Sequence, residues 1–273
     1  MASACAGMPA RGPSDPPTID QALEDPDARI LWIGAHPDDE ALAGPILARA
    51  CRGLKRPCAM LVMTHGDGGE CLRWPSCFPS LAEVRGEELR EVARRYHATL
   101  EHHAYWNAPL PWARFPVRQD IAAKWIAQGD PTDVVVRAIE KFRPTVLLTF
   151  DADRGFTGHP EHQLAARFAM AGAAKARWKV KNAYQILNHF WITRMVGTSD
   201  PNQPTDEFDT HVECGSAGRP CLDVALRITK AHHTQARDMG TVRLLRPQMG
   251  TFWLRRVDPA VEAVVRPPTQ PAP

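Results

Sequence analysis

Long apolar runs are missing from this chain of 273 residues: none approaches the ~20 residues that a membrane-spanning helix needs. An excess of one charge is missing too. Lys and Arg number 33 against 31 Asp and Glu, a net charge of +2 with both signs mixed throughout. That leaves no electrostatic footprint for nucleic acid or a membrane surface. The seven cysteines, Cys5, Cys51, Cys58, Cys71, Cys77, Cys214 and Cys221, include no Cys-x-x-Cys pair. Their odd number and spacing argue against a zinc ribbon and against a disulfide framework. Free thiols in a reducing cytoplasm are the expectation, although Cys71 and Cys77 flank a loop and could be bridged. Residues 1–28 lack the apolar segment of a signal peptide. No repeat or linker interrupts residues 29–257. One domain is expected there, with Pro-rich ends at 1–28 and 258–273 that are poorly ordered or strapped along the surface.

What is present is concentrated in Leu31 to Glu40, where an apolar run ends in His36-Pro-Asp-Asp-Glu40. A run of this length fits a buried strand, and in open α/β sheets ligands bind beyond the carboxyl ends of strands. Gly44-Pro45 opens a short helix to Arg52. A second strand covers 58–64 and runs into the loop His65-Gly-Asp-Gly-Gly-Glu70. Residues 71–80 look irregular. Residues 81–96 carry a helical apolar stripe that also contains Arg85 and Glu88, so those two are paired or functional. Strands are expected at 100–106 and 145–150, with a helical turn at 121–128 and a helix at 131–142. A further helix spans 160–177. Alternation of strand and helix argues an α/β fold with a mostly parallel, doubly wound sheet. Residues 184–193 suggest an edge strand, 221–238 one helix, and 251–256 a last strand.

The second polar cluster, Gly158-His-Pro-Glu-His162, follows the apolar strand at 145–150. If both strands point the same way, His36, Asp39, His159 and His162 converge. Two imidazoles and a carboxylate leave an open position on zinc, and the same set suits non-haem Fe(II). Asp38 is placed to act as general base. Metal bonds near ~2 Å require the imidazoles of His36 and His162 to lie within about 6 Å of each other.

Ala35-His-Pro-Asp-Asp-Glu40 and Gly158-His-Pro-Glu-His162 resemble the two signature motifs of the PIG-L, or LmbE-like, zinc-dependent deacetylases. Leu81-Ala-Glu-Val-Arg-Gly-Glu-Glu-Leu89, Phe142-Arg-Pro144 with Leu147 to Asp151, and Ala231-His-His-Thr-Gln235 are similar to further family segments, in the expected order over residues 29–237. The resemblance implies a Rossmann-like fold and zinc-dependent removal of an N-acetyl group from an amino sugar in a small glycoconjugate. It makes His36, Asp39 and His162 the Zn2+ ligands and Asp38 the base. His159 becomes the group that stabilises the oxyanion, with Asp151 as its suggested partner. Arg85 matches a substrate-contacting position. Asn107 stands where some members carry a substrate-binding acid, and His232 could reach the site from the late helix. Glu161 replaces a common Asp, outside the ligand set. Three other readings stay open: an amidase acting on a thiol conjugate or other acylated amine, a sugar-binding protein on an inactive scaffold, and an iron oxygenase.

Overall fold

The computed structural model describes residues 15–72, 77–215 and 218–269; Cys5, Trp74, Pro75 and the extreme ends lie outside them. In chain order the strands are β1 (Ile30–Gly34), β2 (Cys58–Thr64), β3 (Ala98–Tyr105), β4 (Val146–Phe150), β5 (Asn182–Leu187), β6 (Asp206–Asp209), β7 (Glu213–Cys214), β8 (Arg219–Pro220) and β9 (Thr251–Val257). The helices are α1 (Ile19–Glu24), α2 (Gly44–Leu47), α3 (Leu81–Tyr96), α4 (Arg118–Ala127), α5 (Pro131–Phe142), α6 (Gly155–Gly158), α7 (Pro160–Lys175), α8 (Trp191–Met195), α9 (Cys221–Ile228), α10 (Ala236–Leu244) and α11 (Pro259–Val265).

A seven-stranded sheet has the order β3-β2-β1-β4-β5-β9-β6. β1 to β5 are mutually parallel, and β9 runs antiparallel between β5 and β6. β1 is buried at every position, as is β4. A strand covered on both faces carries apolar residues without alternation, hence the continuous runs in the sequence. The period of two still sorts them: Ile30 and Trp32 join one core, with Tyr96, Phe150 and Tyr184. Leu31 and Ile33 join the other, with Leu61, Trp125, Ile139 and Phe168. The strand order reverses between β1 and β4, which pair in register from Ile30↔Val146 to Trp32↔Leu148. Such a reversal opens a crevice at the carboxyl ends of the two strands, where both polar clusters emerge.

Several local expectations are corrected. Residues 221–238 are not one helix: α9 ends at Ile228, a 3₁₀ turn covers Thr229–Ala231, and α10 starts at Ala236. Glu88 takes the backbone amide and hydroxyl of Thr234 (2.9 and 2.6 Å) and Glu40 takes His232 (2.7 Å), so side chains draw this segment out of helical geometry. β5 is interior, flanked by β4 and β9. The amino-terminal extension is not all loose. α1 buries Ile19 and Leu23 completely, each contributing about 1.5–3 kcal/mol, and is closed by a Thr18–Gln21 capping box. α11 lies in the expected tail.

The expectation of free thiols is overturned as well. Cys51–Cys58, Cys71–Cys77 and Cys214–Cys221 are disulfides, with Cα separations of 5.8, 6.0 and 4.9 Å. Each closes a loop of 6 or 7 residues. Cysteine count and motif spacing carry no information about such short-range approach, which the backbone at the start of β2 and around β7–β8 decides.

Candidate metal centre and active site

Three side-chain atoms converge above β1 and β4. His36 Nδ1 and His162 Nε2 are 3.1 Å apart, His162 Nε2 and Asp39 Oδ1 3.0 Å, and His36 Nδ1 and Asp39 Oδ1 3.5 Å. Bonds of ~2.0–2.1 Å to a tetrahedral centre put ligand atoms roughly 3.3 Å apart, so this triangle fits one face of a metal site. Each member is aimed by a partner on its far side. Asp39 Oδ2 accepts the amides of Ala35 and His36 at 2.7 and 2.8 Å, turning Oδ1 inward. His162 Nδ1 donates to the Gly155 carbonyl at 2.9 Å, which leaves the Nε2 lone pair free to bind. Phe150 stacks on the same ring at 4.4 Å between centroids. Gly155 has φ +62°, and a Cβ there would meet His162 Cβ at 2.7 Å, so glycine is required.

His36 Nε2 donates to Glu161 Oε2 at 2.5 Å. Glu161 is fully buried and also accepts from Asn107 Nδ2 (2.6 Å) and the Ala108 amide (2.7 Å). A carboxylate behind a ligating imidazole fixes its tautomer and raises its basicity. The sequence motif gave Glu161 no role; only the direction of the His36 ring reveals it. Burial opposes charge on His36, but Asp39 and Glu161 outweigh it and hold the pKa at about 10. Burial likewise opposes charge on Asp39, yet His162 and His36 keep it well below the usual carboxylate range. These groups form a strongly cation-seeking environment.

His159 belongs to the same cluster: the imidazoles of His36, His159 and His162 each offer a nitrogen within 4.8 Å of the others. Its Nδ1 accepts the Glu161 amide at 3.1 Å, as the N-cap of α7. Burial, then the neighbouring His36 and His162, push its pKa well below the ordinary value. A neutral ring with Nδ1 accepting presents an Nε2–H donor. Asp151 is not what orients it. Its carboxylate accepts the amides of Asp153 and Arg154 (both 2.9 Å) and Asn202 Nδ2 (2.8 Å).

Asp38 lines the cavity beside the triangle with φ 109°, a backbone strain of the kind stored at functional sites. Arg85 reaches it at 3.0 Å and also donates to the Pro37 and Gly66 carbonyls, both at 2.6 Å. Arg85 is therefore buried between two loops, and its guanidinium clamps them around Asp38. A Cβ on Gly66 (φ +68°) would lie 2.5 Å from that guanidinium. Burial raises the Asp38 pKa and Arg85 lowers it, with a net value of about 6. His232 is buried against Glu40, whose other oxygen accepts the Asp38 amide at 3.1 Å. It thus meets the site through Glu40. Burial would lower its pKa, but Glu40 raises it. Asn107 lines the cavity while its amide bridges Glu161 and the Gly68 amide (2.7 Å). Arg85 and Glu88 each pair, as expected of charges in an apolar stripe, but with Asp38 and Thr234 rather than with each other.

The cavity over these residues measures about 480 Å³. The 65–70 loop contributes Gly68, Gly69 and Glu70 to it. A groove of about 940 Å³ near Lys179, Lys181 and Arg256 contains none of the clustered residues. Among the described residues no helix is long and apolar enough to cross a membrane.

The family model described as PIG-L, GlcNAc-PI de-N-acetylase, matches residues 31–173. A 1D-myo-inositol 2-acetamido-2-deoxy-alpha-D-glucopyranoside deacetylase of Kineococcus radiotolerans is 28% identical over 252 residues, covering 76% of this chain and 68% of that enzyme. The chain spans about half to two thirds of the length of the other curated relatives. Among solved structures, N,N'-diacetylchitobiose deacetylase from Pyrococcus horikoshii superposes with a TM-score of 0.57 at 13% identity, covering 91% of this chain and 93% of that one. A 4-carboxy-2-hydroxymuconate hydratase from Pseudomonas putida gives a TM-score of 0.56 at 14% identity, over 85% and 96%. A hydratase and a deacetylase on one scaffold mean that the fold alone does not assign the reaction.

Proposed function

The chain belongs to the PIG-L family, and from that premise we propose that it is a metal-dependent hydrolase that removes the acetyl group from an N-acetylated amino sugar in a small glycoconjugate. The observation that carries this reading is the His36–Asp39–His162 triangle, with edges of 3.0 to 3.5 Å, beside a half-buried carboxylate at Asp38. These three residues would hold the metal. Two nitrogens, one oxygen and an open position suit Zn2+, and Fe2+ fits the same set. When bound, the metal supplies electrophilic polarisation of the amide carbonyl and a more acidic water.

The remaining work falls to the protein. Asp38 Oδ takes a proton from the attacking water, and a base with a pKa near the working pH is suited to that. His159 Nε2–H donates to the oxygen on which negative charge develops. When the C–N bond breaks, Asp38 returns the proton to the leaving nitrogen, so that amide and water become carboxylic acid and amine. Arg85 and Glu40 act through Asp38, holding its side chain and its amide. The three disulfides favour an oxidising compartment over the cytoplasm.

The test is acetate release from a panel of N-acetylglucosaminides by zinc-loaded protein, with metal analysis of the same sample. Asp38→Asn is expected to keep its metal and lose about 10²–10⁴ in kcat. Near-normal turnover by metal-loaded Asp38→Asn refutes the base assignment, and no acetate from any glycoside refutes acetyl as the group removed.

A further inference from the structure

The cavity beside the metal-facing atoms is walled mostly by carbon. Leu42, Phe156, Phe190, Met239, Val242 and Leu245 line it, with Leu110 and Phe115, and Leu42, Val242 and Leu245 pack on the core that holds Phe156 and Phe190. Phe156, Phe190 and Met239 are themselves packed to 4, 5 and 5% exposure, so this wall is held in place rather than loosely draped.

Several polar side chains between them are engaged with the protein's own backbone and side chains. Asn188 Nδ2 donates to the Phe156 carbonyl (2.8 Å), and its Oδ1 accepts from Thr193 Oγ1 (2.9 Å). Asn107 bridges Glu161 and Gly68, and Arg85 is taken by Pro37, Gly66 and Asp38. The ion pair of Arg237 and Glu70 (2.9 Å), with its more exposed side chains, adds charge to the lining. A site that selects a polyol does so with buried donors and acceptors that the ligand's hydroxyls complete. Here most of those groups already have partners within the protein, Arg85 Nε being a buried donor left over, whereas the aliphatic and aromatic wall rewards apolar area removed from water.

We propose that the substrate carries an apolar group of several carbons next to the scissile amide, seated on the wall formed by Leu42, Phe156, Phe190, Met239, Val242 and Leu245. The inference rests on the hydrolase reading above and narrows its substrate class. The group is either an N-acyl chain longer than acetyl or an apolar aglycone on the amino sugar; the shared chemistry is an alkyl or aryl body linked to a polar amide.

Two substrate series separate the sources, each measured as kcat/KM with zinc-loaded protein. One is glucosamine N-acylated with two to eight carbons; the other is N-acetylglucosamine bearing methyl to octyl aglycones. At least one series is expected to climb about fourfold per buried methylene, equivalent to ~0.8 kcal/mol. The series that climbs identifies which part of the substrate meets the wall. Val242→Asp is expected to flatten that climb, and Val242→Ala to reduce it. Turnover of the short members with both series flat or falling overturns the inference and leaves the hydrolase standing. No turnover of any member overturns the hydrolase, and the inference with it.

Discussion

Replacing Glu161 by Gln tests the proposed metal centre without touching a proposed ligand. Glu161 accepts three hydrogen bonds, from His36 Nε2, Asn107 Nδ2 and the Ala108 amide. Gln keeps the volume but has one acceptor oxygen, while its NH₂ must face a donor. Turned one way it meets the Ala108 amide; turned the other way it meets His36 and Asn107. At least one buried donor is left unpaired, costing about 1–3 kcal/mol of stability. His36 also loses its charged acceptor, and losses of this kind weaken metal binding by about 10–100-fold. The same range follows from about 1.5–3 kcal/mol for a hydrogen bond to a charged group. Competition with a chromogenic zinc chelator reads the affinity, and circular dichroism establishes that the variant is folded. A folded Glu161→Gln protein whose zinc affinity stays within about twofold of the parent refutes the role given to Glu161.

Arg85→Met should fold less stably, because the Pro37 and Gly66 carbonyls lose their donor. It should also lower kcat more than it raises KM, since Asp38 loses its clamp; a pure KM effect would instead make Arg85 a substrate contact. Reduction of the three disulfides should lower the thermal midpoint, each loop of this size contributing about 2–3 kcal/mol; differential alkylation with mass spectrometry should find Cys51, Cys58, Cys71, Cys77, Cys214 and Cys221 blocked before reduction. Asp200 is raised from 3.8 to about 7, first by burial and then by Asp151. The folded state therefore holds its proton over a range where the unfolded chain has lost it, and this group's contribution to stability falls as pH rises from about 4 to about 7. Asp200→Asn should flatten the stability profile across that window, and an unchanged slope in chemical denaturation would count against the assignment.

The chain alone determined the parallel α/β class and the positions of the two polar clusters. A strand buried on both faces must be continuously apolar, and the place where β1 and β4 turn polar is legible as a break in that run. Helix α3 was equally legible, from its apolar stripe. Three things depended on the tertiary structure. Adjacency of β1 and β4 follows from sheet order, which local pattern does not encode. Second, partners distant in sequence decided the fate of polar residues: Glu88 and Glu40 break the helix expected at 221–238, Arg85 turns to Asp38 and two carbonyls, and Glu161 reaches back to His36. Finally, the cysteine pairs and the apolar wall arise where short loops and separate elements approach in space. Hydrophobic periodicity reports which face of an element is covered; it does not report which polar atom lies across the gap.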